Sequence, residues 1–202
     1  MTVLYCATGN PGKLREFREA AGDGFEILPC DSRDCPETGD TFEANALQKA
    51  HCYAQALTAK TGAEQWLFAD DSGIAVDALG GAPGVYSARF AGVGADDAAN
   101  NALLLDRLAN VPAAERTARY VCVIALLRGN TVLGTFRAEA EGVILHHPRG
   151  TGGFGYDPYF HFPSLDQTFA EIPAELKWRH SHRGKAFRAM LDWFWNHEPS
   201  RL

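Results

Sequence analysis

The sequence predicts an α/β protein, a mixed β-sheet flanked by helices, and three features carry that prediction. Apolar, β-favouring runs at Thr2 to Ala7, Trp66 to Ala69 and Ala118 to Leu127 alternate with helical patterns from Leu14, Asp40 and Asp96 and near the C-terminus. The first run leads through a glycine-bearing turn directly into a helix start, an arrangement that suits anions. The last run is followed by Arg128-Gly129-Asn130-Thr131, a two-residue hairpin signal, so antiparallel strands belong to the middle of the sheet.

The 202 residues suffice for one domain, or for two lobes sharing a cleft, and the 46% hydrophobic content calls for a packed core. A formal net charge of -6 argues against nonspecific binding to nucleic acid or to an anionic membrane. A phosphate-bearing ligand would then need local cations, backbone N–H groups or a metal. Cys6, Cys30, Cys35, Cys52 and Cys122 contain no CxxC pair, and several lie in apolar runs. Neither a zinc site nor a disulfide framework is expected, and a reducing cytosol is. No apolar stretch reaches the ~18 residues of a membrane span, and the chain opens on a strand-like run rather than a leader. A soluble cytoplasmic protein is the expectation.

Thr2 to Ala7 forms the first strand, and Thr8-Gly9-Asn10-Pro11-Gly12-Lys13 turns into a helix whose inner face carries Leu14, Phe17, Ala20 and Ala21. Free N–H groups at that helix start, with the Lys13 ammonium beside them, make a candidate anion site. An Asn-Pro-Gly turn capping an ordinary helix fits the same residues. Phe25 to Leu28 is a short strand in a segment, residues 23 to 40, with no functional signal of its own. Asp40 with Glu43 resembles a capping box opening a helix to about Lys60, which sets Asn45 and Lys49 on one face.

Trp66 to Ala69 reads as a buried strand that breaks into Asp70-Asp71-Ser72-Gly73 at its carboxyl end, where open α/β sheets place ligands. Adjacent carboxylates repel, so such a pair is kept near water, a cation or donors. Gly80-Gly81-Ala82-Pro83-Gly84 is too rich in glycine for a simple connection, and Arg89 brings a guanidinium back toward the acids. Asp96 or Asp97 caps a helix through Leu108 with Ala102, Leu104, Leu105, Leu108 and Ala109 inward. In Arg149 to Pro163, four glycines alternate with Phe154, Tyr156, Tyr159 and Phe160, a pattern suited to a planar ligand or to an aromatic-packed loop. Lys177, His180, Ser181, His182, Arg183 and Lys185 then cluster before a helix with Phe187, Met190, Leu191 and Phe194 inward. Two histidines without a third ligand are weak evidence for zinc, and donors aimed at a ligand are the better reading.

The stretches ATGNPGK, TFEANALQKA, ADDSGIAVDALGGAPGVYSARFAG, GTGGFGYDPYF, TFAEI and SHRG occur in one order from Ala7 to Gly184. In that order they resemble the inosine triphosphate pyrophosphatase family, the dITP/XTP pyrophosphatases. The resemblance implies an elongated sheet in a single domain of two lobes, a substrate cleft between them, and a homodimer. It implies Mg²⁺-dependent cleavage of non-standard purine nucleoside triphosphates between the α- and β-phosphates. By position it makes Asp71 the proton acceptor and a metal ligand, Ser72 a substrate contact, and Thr8, Gly9, Asn10, Pro11, Gly12 and Lys13 the triphosphate cradle. Phe154, Gly155, Tyr156 and Asp157 become the wall of the base pocket, and Lys177, aimed at phosphate, with His182 and Arg183, aimed at a base edge, completes the substrate site. Many members carry Glu where this chain has Ala44, and Glu43 lies about 100° away around a helix. A smaller departure is Leu176, where an acid is common. A pyrophosphatase for modified pyrimidine nucleotides and a catalytically impaired nucleotide-binding protein are the competing readings.

Overall fold

The computed structural model describes residues 1–198 and has a seven-stranded mixed sheet with helices packed against it. The strands are β1 (Thr2–Cys6), β2 (Phe25–Pro29), β3 (Trp66–Val76), β4 (Thr117–Arg128), β5 (Thr131–Ile144), β6 (Phe160–Phe162) and β7 (Gln167–Thr168). Their order across the sheet is β2-β1-β3-β4-β5-β6-β7. β1 runs parallel to β2 and β3, whereas β6 is antiparallel to β5 and β7. The helices are α1 (Pro11–Ala20), α2 (Phe42–Thr61), α3 (Asp97–Arg107), α4 (Ala174–His180) and α5 (His182–His197). No described helix is long and apolar enough to cross a membrane.

The chain forms two compact units. Of the described residues, the first comprises Met1–Asp71, Cys122–Ala138 and residues 184–198; the second comprises Ser72–Val121 and Glu139–Arg183. In the first, aromatic rings lock α1 and α5 onto β3. Phe17 packs edge-on to Phe68 with centroids 5.0 Å apart and lies 4.9 Å from Phe187, while Trp66 meets Phe194 at 4.8 Å. Phe187, Met190, Leu191 and Phe194 are all buried, as the periodicity of the last helix predicts. The second unit has its own core, including Ile74, Val76, Leu104, Leu108, Tyr120, Phe160 and Phe169, with Leu176 packed against it.

Several sequence expectations are corrected here. α1 begins at Pro11, not Leu14, because proline suits the first helical turn, where no N–H is needed. The cap of α2 is Thr41, whose Oγ1 accepts from Ala44 N at 3.1 Å, so Asp40 and Glu43 do not form a capping box. α3 is capped by Asp96 and turns Asn101, Leu104 and Leu108 inward, while Ala102 and Ala109 are exposed. Their small side chains gain little from burial.

The largest correction concerns residues 30 to 40. Cys35 and Cys52 form a disulfide with Cα atoms 6.0 Å apart. The segment lies along α2 as a strap: Glu37 pairs with Lys49 at 2.5 Å, Thr38 N donates to Gln48 Oε1 at 3.0 Å, and Gly39 N donates to Asn45 Oδ1 at 2.8 Å. Spacing rules miss such a bridge because packing of a loop on a helix, not a local motif, brings the thiols together. A bridge with a sequence separation of 17 restrains the unfolded chain by about 3 kcal/mol. The Cys35→Ser/Cys52→Ser protein is therefore expected to melt roughly 6–12 °C lower in calorimetry. An unchanged Tm would show that the bridge contributes no restraint.

Candidate active site

Asp70 and Asp71 do not sit beyond the strand tip. Both lie inside β3, 2% and 8% exposed. Successive strand residues point to opposite faces, which is how two neighbouring carboxylates coexist in a buried strand. Asp70 faces α1, where Lys13 Nζ meets its Oδ2 at 2.7 Å. Lys49 of α2 donates to the Asp70 carbonyl at 2.9 Å and pairs with Glu37. Burial alone would lower the Lys49 pKa, but the charges of Asp70, Glu37 and Asp71 outweigh it, so the net shift is upward.

Asp71 is the perturbed group. Burial pushes its pKa up to about 6, against the pull of the Lys49 charge and the Asn45 amide, and Glu37 and Asp70 add to the rise. A carboxylate held near neutrality is a suitable general base. Asn45 is 1% exposed, and its Nδ2 makes no well-formed hydrogen bond, yet it is close enough to stabilise the Asp71 carboxylate. Asn45, Lys49 and Glu37 are thus part of the acid's environment. The sequence left the first two as a shared helix face and the third without a role. Glu43 is engaged elsewhere: its Oε1 accepts from Thr135 Oγ1 at 2.7 Å. Burial and then the Asp70 charge push the neighbouring Cys6 thiol well up, so it stays protonated and is no nucleophile.

Of the two readings of Thr8 to Lys13, the structure shows the Asn-Pro-Gly turn capping a helix. Asn10 Oδ1 accepts from Gly12 N at 2.8 Å and Lys13 N at 3.2 Å, and Asn10 N donates to Thr8 Oγ1 at 3.1 Å. The Thr8 to Lys13 turn is closed on its own cap. Asn10 is well suited to this because its short amide reaches two amides at once.

In the second unit, Gly155 is clamped by α3. Its N–H donates to Asp97 Oδ2 at 2.6 Å and its carbonyl accepts from Asn101 Nδ2 at 2.9 Å. Asp157, 3% exposed, accepts Lys177 Nζ at 2.5 Å and Phe154 N at 2.9 Å on Oδ2, and Tyr120 Oη at 3.1 Å on Oδ1. Gly153 has φ +73°, and a Cβ there would run into that carboxylate, so glycine is required. Gly73 is likewise required, since a Cβ would overlap Ser87 Oγ, which accepts from Ile74 N at 2.8 Å.

Of the four rings expected to receive a planar ligand, Phe154 is the exposed one, at 46%, and Tyr159 is partly buried against the second core. Tyr156 is buried with its hydroxyl donating to the Ser87 carbonyl at 2.7 Å, and Phe160 is a core residue of β6. A larger apolar gain from core burial explains both. Around Phe154 stand two cations, with Lys177 Nζ 4.9 Å and Arg183 Cζ 5.6 Å from the ring centroid. Arg183 also reaches Ser72 Oγ at 3.4 Å. His182 is buried and stacked on Tyr120, and His180 lies against Phe162, so the two histidines have different neighbours. Arg89 sits over Tyr86, 5.2 Å from its centroid.

Among the described residues, no three His, Cys, Asp or Glu side chains converge as a ready cation cage. The oxygen donors of β3 fit a hard cation that takes few protein ligands and completes its shell with water and phosphate.

A family model described as the Ham1 family matches residues 4–193. The chain is 50% identical over 194 residues to the dITP/XTP pyrophosphatase of Gloeobacter violaceus, covering 95% of this chain and 93% of that protein. It is 49% identical over 198 residues to the dITP/XTP pyrophosphatase of Geobacter sulfurreducens, with 95% and 96% covered. Among solved structures, a HAM1 protein from Coxiella burnetii superposes with a TM-score of 0.85 at 36% identity, covering 96% of this chain and 98% of that one.

Proposed function

The chain belongs to the Ham1 family, and from that premise we propose that it hydrolyses non-standard purine nucleoside triphosphates, dITP/ITP and XTP/dXTP, to the monophosphate and pyrophosphate, clearing them from the nucleotide pool. The observation that carries the reading is Asp71, a buried carboxylate whose pKa stands at about 6 beside Lys49.

Asp71 would take the proton of the attacking water and orient it in line with the α–β phosphoanhydride bond. It would also hold a divalent cation, Mg²⁺ in this proposal, which supplies charge neutralisation on the phosphates. Lys13 would carry the triphosphate, with Thr8, Gly9, Asn10, Pro11 and Gly12 shaping the turn beneath it. Binding would then draw Lys13 from Asp70 toward the phosphates. On the base side, Phe154 supplies the ring face and Gly155, Tyr156 and Asp157 its support, while Lys177, His182, Arg183 and Ser72 supply polar contacts. Tyr156 acts here as a pillar through Ser87, not as a second ring face. A cytoplasmic location belongs to the same proposal, supported by where nucleoside triphosphates are made and used, and so does a homodimer, which the family resemblance implies. The Cys35–Cys52 bridge is the feature that runs against a reducing compartment.

The test is the product. Incubation with dITP or XTP and Mg²⁺ is expected to give equimolar monophosphate and pyrophosphate, read by phosphorus NMR, and none with chelator present. Release of orthophosphate would mean cleavage at another bond. No product from any nucleotide would leave a nucleotide-binding protein.

A further inference from the structure

Tyr120 lies in β4, 7% exposed, within the Ala118 to Leu127 strand run and outside every stretch to which the sequence gives a functional role. Its ring lies parallel to the His182 ring, at 7° and 4.7 Å between centroids. It also lies parallel to Phe169, at 2° and 5.6 Å, with Phe160 tilted against it at 4.6 Å. Its hydroxyl donates to Asp157 Oδ1 at 3.1 Å. The other oxygen of that carboxylate holds Lys177 Nζ and the Phe154 amide. One side chain therefore touches both the imidazole and the carboxylate that anchors the rest of the base-side group. Burial, and then the Asp157 charge and hydrogen bond, push the phenol well above its usual pKa, so it remains a donor.

A strand interior is a rigid place from which to set two neighbours. Without the hydroxyl, Asp157 would keep Lys177 and Phe154 N on one oxygen, but nothing described would fix the other, and the carboxylate would be free to rotate. Lys177 and the Phe154 ring, 4.9 Å apart, would move with it.

We propose that Tyr120 is a positioning residue for base selection, its hydroxyl fixing Asp157 and its ring fixing the plane of His182, so that Lys177, Phe154 and His182 meet a 6-oxopurine in one arrangement. The inference rests on the nucleotide reading above and names a residue that acts through others, without touching the base itself.

Tyr120→Phe keeps the ring and removes only the donor. It is expected to raise KM for dITP about tenfold with kcat within about twofold, and to lower the dITP/dATP ratio of kcat/KM by about tenfold, since a lost orienting bond of this kind relaxes selection. In an Asp157→Asn background the same change should have little further effect, as a shared route requires. A lower Tm with KM and the ratio unchanged marks a purely structural residue and overturns the proposal; so does additivity of the two substitutions. Calorimetric binding of dIMP and dAMP separates this from the activity itself. If the wild type releases no pyrophosphate, the proposed reaction falls, and Tyr120 is still decided by whether the substitution erodes a dIMP preference. No preference in the wild type, or one left intact, overturns it.

Discussion

Asp71→Asn is expected to lower kcat for dITP by about 10³-fold while the protein stays folded, because the amide keeps the shape of the side chain and loses the proton acceptor. The same change should stabilise the metal-free protein at neutral pH. The folded pKa of about 6 lies above the ordinary 3.8, so the unfolded chain gives up this proton first as pH rises. Stability linked to Asp71 is full below about 4 and is lost as pH rises to about 6. The loss is about 3 kcal/mol at most, given the rise from 3.8 to about 6. Metal-free Asp71→Asn should therefore melt higher than the wild type at pH 7.5 and equal to it near pH 3.5. Calorimetry at the two pH values, with steady-state turnover at saturating Mg²⁺, checks both halves. Turnover within tenfold of wild type would remove Asp71 from the role of base.

The second large effect is discrimination at the purine 6-position. kcat/KM for dITP and XTP is expected to exceed that for ATP by up to ~10⁴, since an amino donor in place of the 6-oxo acceptor leaves buried donors unpaired. One such donor, Arg183, already flanks the Phe154 ring and is 4% exposed, so water cannot easily satisfy it when the wrong base arrives. A panel of dITP, XTP, GTP and ATP measures this. Equal values for ITP and ATP would refute selection by the 6-oxo group, and a preference for modified pyrimidines would redirect the assignment to another nucleotide class.

Legibility differed sharply among residues. Phe187, Met190, Leu191 and Phe194 could be placed inward because helical periodicity repeats within a few residues. Asp71 could be singled out because two adjacent acids beside an apolar run are chemically conspicuous. Its setting could not: the expected strand end is a strand interior, since Lys13 and Lys49 arrive from helices far away in the chain to compensate the charge. Glu37, Asn45, Asp97, Asn101 and Tyr120 were passed over because each looks locally like a loop acid, a helix polar residue or a strand aromatic. Tyr156 and Phe160 look identical to Phe154 in a glycine-aromatic repeat, yet one ring is exposed and two are buried.

Apart from β6, β7, α4 and the Thr41 cap of α2, the sequence by itself determined the succession of strands and helices and the set of chemical groups available. Those follow from interactions between residues close in the chain, where spacing alone sets geometry. Only the tertiary structure decided which groups meet: Cys35 with Cys52 across a strap and a helix, Asp71 with Asn45 and Glu37, Tyr120 with Asp157 and His182. Such meetings depend on how whole elements pack, and burial then sets which acid is pushed toward neutrality and which ring is left facing solvent.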